Sequence, residues 1–110
     1  MEVKPFWVML DIFNVGIRFF FGDKHKKSIE KIIGDKAPDD VAGFSNGNIV
    51  WICDNATEVA LVHELYHSTS WVLEHFGIKD EETGAYIIAY LYRKSIERFR
   101  KWQKEHLQKK

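Results

Sequence analysis

The chain has 110 residues, with 16 Lys plus Arg, 16 Asp plus Glu, five His, one Cys and 45% hydrophobic residues. That length limits it to one domain, 1–110, and the 15% aromatic content supplies bulky core material, which excludes a disordered polymer. Zero formal net charge excludes a global pull toward nucleic acid or membrane, but the average conceals a split. Residues 1–92 carry 8 basic and 14 acidic side chains, net −6, whereas residues 93–110 carry 8 and 2, net +6.

Cys53 has no second cysteine to pair with, which points to a reducing compartment. No apolar run is long enough to span a membrane, and no small-residue cleavage site follows the first aromatic run. The expectation is a cytoplasmic monomer with no membrane partner.

Taken in chain order, Phe6 to Phe13 and Val15 to Phe21 are rich in Phe, Val, Ile and Trp and read as one or two strands, with Asn14 and Gly16 as turn material. Gly22-Asp23 breaks the pattern. Lys24 to Ile33 places Ile29, Ile32 and Ile33 at helical spacing, and Gly34 is the expected C-cap. Ala37 to Asp40 is a loop. Val41 to Ser45 and Asn48 to Cys53 flank Asn46-Gly47, a strong hairpin signal because both residues tolerate positive φ. A helix then opens at Asn55 or Thr57 and carries Val59, Leu61, Val62, Leu65, Val72, Leu73 and Phe76 until Gly77 ends it. Asp80 caps the last helix, whose apolar stripe is Ala85, Ile88, Tyr92, Ile96, Phe99 and Trp102. The fold class is α+β: a small N-terminal sheet with a short helix, a second helix, and a long C-terminal helix with a basic extension over 93–110.

The first long helix contains His63-Glu64-Leu65-Tyr66-His67, the His-Glu-x-x-His pattern. Residues four apart on a helix share a face about 6 Å apart along the axis, so His63 and His67 can reach one Zn²⁺. Glu64 points beside that ion and is placed to act as general base toward a water. A chance pair of surface histidines is the plainer alternative.

Two histidines leave a catalytic zinc one protein ligand short. Ser70 and Leu73 stand where a metzincin would need Gly and His, which excludes that class. Glu74 lies roughly 16 Å along the axis from His63, so neither it nor His75 closes the site. A tight turn at Gly77 would fold the last helix back and bring a carboxylate from Glu81 or Glu82. Spacing does not separate these two.

From His63 to Leu91 the chain resembles the small zincin-like, metallopeptidase-type proteins of tailed bacteriophages and prophages. The likeness runs through His63-Glu64-Leu65-Tyr66-His67, Val72-Leu73-Glu74, Gly77-Ile78, then Glu82 followed by Ala85-Tyr86-Ile87 and Tyr90-Leu91. Gly43-Phe44, the Asn46-Gly47 turn and Ile49 to Ile52 resemble the hairpin that precedes a zincin active-site helix. The resemblance implies a minimal zincin-like domain of gluzincin type, one Zn²⁺ held by His63, His67 and Glu82, and peptide hydrolysis with Glu64 as base. A peptide or protein substrate would lie along Ile49 to Ile52, taken as the exposed edge strand. Tyr66, Tyr86, Tyr90 and Arg93 are the candidate oxyanion donors.

Other features have ordinary readings. His25 and His106 lie in Lys-rich stretches and are expected to be solvated, His75 to pack at the helix end, and Cys53 to be a buried thiol. Two alternatives belong to other functional classes. One is a non-catalytic zinc-stabilised binding module; the other is a metal-free interaction protein that uses the basic C-terminal helix, with an acidic partner or nucleic acid.

Overall fold

A computed structural model describes residues 3–38 and 41–108, with side chains through residue 106. Asp39 and Asp40, half of the expected loop, lie outside the described residues, as do Lys109 and Lys110 of the basic segment. The fold is α+β. Four strands, β1 (Phe6–Leu10), β2 (Val15–Phe21), β3 (Gly43–Asn46) and β4 (Ile49–Ile52), form one sheet in the order β1-β2-β4-β3. Three α-helices, α1 (Lys26–Ile33), α2 (Glu58–His75) and α3 (Glu81–Gln108), pack on it.

The first strand run stops at Leu10 rather than Phe13, because Asp11–Phe13 forms a 3₁₀ turn closed by Asn14 in the left-handed region at φ 51°. β2 returns antiparallel to β1, pairing Val8 with Ile17. The chain crosses over through α1 and β3 before β4 docks parallel to β2, with Phe20 opposite Trp51.

That crossover corrects the expected substrate strand. Ile49–Ile52 is hydrogen-bonded to β2 on one side and β3 on the other, and all four of its side chains are buried. Val50 and Ile52 point into the main core with Phe19 and Phe21, while Ile49 and Trp51 meet Phe20 and Ile29 beneath α1. An unbroken apolar run is what a strand covered on both faces requires. The edge strand is β3. Its hairpin turn is also one residue later than expected: Asn46 pairs with Ile49, so Gly47 and Asn48 are the central residues, and positive φ occurs only at Gly47.

α2 and α3 form an antiparallel pair over the other sheet face. Their connection is a Schellman motif, in which Gly77 N–H bonds to Glu74 O at 3.2 Å and Ile78 N–H to Leu73 O at 2.8 Å, with Gly77 at φ 65°. Asp80 then caps α3 by accepting from Thr83 N–H and Thr83 Oγ1. Those bonds hold its carboxyl below the usual range.

The buried stripe of α2 is Leu61, Glu64, Leu65, Ser68, Thr69 and Val72, whereas Val59, Val62 and Phe76 are exposed, contrary to expectation. Thr69 returns its hydroxyl to Leu65 O, and Ser95 on α3 does the same to Leu91 O, which lets small polar residues sit between the helices. On α3 the buried residues are Ile87, Leu91, Ser95, Ile96, Phe99 and Trp102. Ala85 is exposed, and Ile88 and Tyr92 are half-buried. The basic segment is therefore not a detached extension. Phe99 and Trp102 pack on Phe21 at ring-centroid distances of 5.5 Å each, and Arg100 pairs with Glu58 at the start of α2.

Candidate functional site

The core contacts of α2 set the orientation of its polar residues. Leu61 and Leu65, both fully buried, fix the helix rotation, so His63 and His67 emerge on the surface while Glu64 is turned toward β3. The His63 and His67 rings meet edge to face, with Nε2 atoms 3.1 Å apart. Glu64 is only 5% exposed, and Ser45 Oγ donates to its Oε1 at 2.9 Å.

β3 makes the opposite wall. Gly43 and Ser45 both face α2, as the two-residue period of a strand demands, and Phe44 faces Trp51 on the other side. Gly43 is required there, because a Cβ would stand 2.6 Å from the Trp51 carbonyl oxygen and 3.3 Å from Glu64 Cγ. Between β3 and α2 lies a cleft of about 460 Å³. Its strand side is Gly43, Phe44, Ser45 and the turn residue Gly47; its helix side is His63, Glu64, His67, Ser70, Trp71 and Glu74.

Whether these residues suit a metal is decided by the donor set. Two imidazole nitrogens bound to one zinc at about 2.0–2.1 Å and a tetrahedral angle stand about 3.3 Å apart. The observed 3.1 Å is close to that, so the pair is a ready two-nitrogen donor. The same separation also suits one imidazole donating to the other. Among the described residues no group of three His, Cys, Asp or Glu is arranged to hold an ion.

Glu82 lies in the exposed first turn of α3 and does not line the cleft. The reason is the helix alignment. Gly84 lies against Leu73, which is six residues past His67, or about 9 Å along the axis. Glu81 is exposed in the same turn.

The expected oxyanion donors are dispersed. Tyr86, Tyr90 and Arg93 line a separate apolar groove with Ile12 and Ile78, and Tyr90 Oη donates to Met9 O. Tyr66 stays beside His67, with ring centroids 6.0 Å apart, and is exposed. His75 packs as expected, stacked on Trp71. His25 and His106 are half-buried rather than fully solvated. His25 lies against Phe20, where burial and then Lys24 lower its pKa; His106 stacks on Trp102, with Nε2 3.9 Å from Asp54 Oδ2. Cys53 is half-buried and unbridged.

Sequence reading did not single out Ser45, Gly43 or Trp71 as parts of the site. The alternation of Gly43 and Ser45 along one strand face was the available signal for two of them; Trp71 and Glu74 fall one and two turns beyond His67 on the same helix side. No helix is long and apolar enough to cross a membrane among the described residues. Comparison with protein-family models, with curated proteins and with solved structures finds no match.

Proposed function

We propose that this chain is a small zinc-dependent peptide hydrolase of zincin-like type. The observation that carries the reading is the His63 and His67 Nε2 pair at 3.1 Å beside a buried Glu64, all on the wall of a cleft whose other wall is an edge strand. His63 and His67 would hold the ion, with Glu82 as the third ligand that the resemblance implies. For Glu82 to serve, the first turn of α3 has to shift toward His67. Zinc, when bound, supplies Lewis-acid polarisation of a scissile carbonyl and acidifies a water.

The protein's own groups do the rest. Ser45 occupies Oε1 of Glu64 and orients the carboxylate, and Oε2 retains lone pairs to accept the proton of an attacking water. The same oxygen returns that proton to the leaving amine. In a hairpin with a two-residue turn, hydrogen-bonded and non-hydrogen-bonded pairs alternate, starting from Asn46 and Ile49. The backbone groups of Gly43 and Ser45 consequently point to the outer edge, where an extended peptide can add as a strand. The substrate strand is thus β3 and not Ile49–Ile52. The unbridged Cys53 is in keeping with a reducing compartment such as the cytoplasm, and the resemblance suggests a phage-infected bacterium.

A second reading has one observation in its favour. Glu64 is almost fully buried and already bonded, as a structural carboxylate would be, which suits a zinc-stabilised binding module without turnover. Glu64→Gln separates the two. In the hydrolase this variant keeps its zinc and loses peptide cleavage; a wild-type chain that binds zinc, cleaves no peptide in a degenerate library and unfolds on chelation is the module instead.

A further inference from the structure

The Gly47 end of the cleft has a chemistry of its own. Its ionisable residue is Glu74, in the last turn of α2, where the helix dipole opposes a carboxylate. Nothing in the fold answers that charge: among the described residues no hydrogen bond or ion pair engages the Glu74 carboxylate, and no Lys or Arg lines the cleft. Next to it the Trp71 indole lies with its Nε1 edge against Gly47, where a Cβ would stand at contact distance, 3.7 Å, and with one face stacked on His75, so the opposite face is the one that a ligand can meet. An apolar ring beside an unanswered carboxylate, at an end of the cleft that no Lys or Arg lines, suits a long side chain with an aliphatic stem and a positive tip.

We propose that this end of the cleft is a specificity subsite for Lys or Arg of an extended peptide, with the stem on Trp71 and the charge on Glu74. The proposal rests on the peptide-cleft reading above and adds its substrate class. Direction follows from the fold. Gly43 stands against Glu64 and Gly47 against Trp71, so β3 and α2 run the same way. A peptide pairing antiparallel to β3 enters with its N-terminal part at Gly47. Glu74 is about 10 Å along the axis from His67, or three strand residues. The basic residue therefore lies within about three positions on the N-terminal side of the bond that faces His63 and His67.

The test uses the full zinc-supplemented chain and extended peptides carrying a single Lys, Gln or Glu at successive positions. Binding is read by fluorescence anisotropy in the Glu64→Gln background, and cleavage by mass spectrometry with Glu64 intact. The Lys peptides are expected to bind about twofold to fivefold tighter than the Gln peptides, the range of an exposed ion pair. Glu74→Gln should erase that ratio, and Glu74→Lys should turn it toward Glu. A ratio unmoved by Glu74→Lys, or no binding of any peptide, overturns the subsite. The two readings fail separately: preference that follows residue 74 without any cleavage removes the hydrolase and keeps the subsite, whereas cleavage indifferent to residue 74 does the reverse.

Discussion

Ser45 Oγ donates a 2.9 Å hydrogen bond to Oε1 of Glu64, and this one contact ties the edge strand to the helix that carries both histidines. It satisfies a carboxylate that burial would otherwise penalise. Ser45→Ala should cost about 1–3 kcal/mol of stability, because the acceptor left behind is buried. Urea unfolding measures it; an unchanged midpoint would mean that the bond contributes nothing in solution.

Gly43 sits where the strand, the neighbouring strand and Glu64 converge. Gly43→Ala puts a methyl group 2.6 Å from a backbone oxygen, which the sheet relieves only by moving β3 away from β4 or from α2. The expected loss is about 1–3 kcal/mol, typical of overpacking. The cleft should widen as well, so peptide affinity falls along with the thermal midpoint.

The basic C-terminal segment is anchored by its aromatic residues and not only by charge. Phe99 is fully buried against Phe21 and Trp102. Phe99→Ala should destabilise the whole chain by about 3–5 kcal/mol. In a detached tail the same change would leave the denaturation curve in place.

Acid should destabilise the protein through groups whose contributions begin to fall at different pH, His25 below 6.5 and Glu58 below 4.5. Burial and Lys24 lower the pKa of His25, so the folded state prefers the neutral ring. That contribution is complete above the unfolded value of 6.5 and is lost as pH falls through the lowered folded value. Hydrogen bonds from Arg100 and Tyr92 lower the pKa of Glu58, so its contribution is complete above 4.5 and lost further down. Thermal melts between pH 8 and pH 3 should show His25→Phe removing the first contribution and Arg100→Gln weakening the second.

How far the sequence discloses this molecule depends on the range of each interaction. The His63 and His67 pair is a four-residue relationship on one helix, and the structure places the two rings together. The Gly77 and Asp80 signals are equally local and fall where expected. The interior position of β4 depends on its parallel docking to β2, a contact across about thirty residues that no local pattern encodes. Its lack of alternation did carry the information that both faces are covered. The helix stripes shifted because Ser68, Thr69 and Ser95 are buried with the apolar residues, so a search for apolar spacing selects Val59 and Val62 instead. Ser45, Trp71 and Glu74 share a cleft only after the strand has folded onto the helix.

The central claim is that His63 and His67 hold a metal ion, and the most direct measurement is zinc stoichiometry after equilibrium dialysis of the wild-type chain, His63→Ala and Glu82→Gln. One zinc per chain is expected for the wild type, none for His63→Ala, and weakened retention for Glu82→Gln, which loses one of three protein ligands. A wild-type chain without stoichiometric zinc, or a His63→Ala chain that keeps it, would contradict the claim.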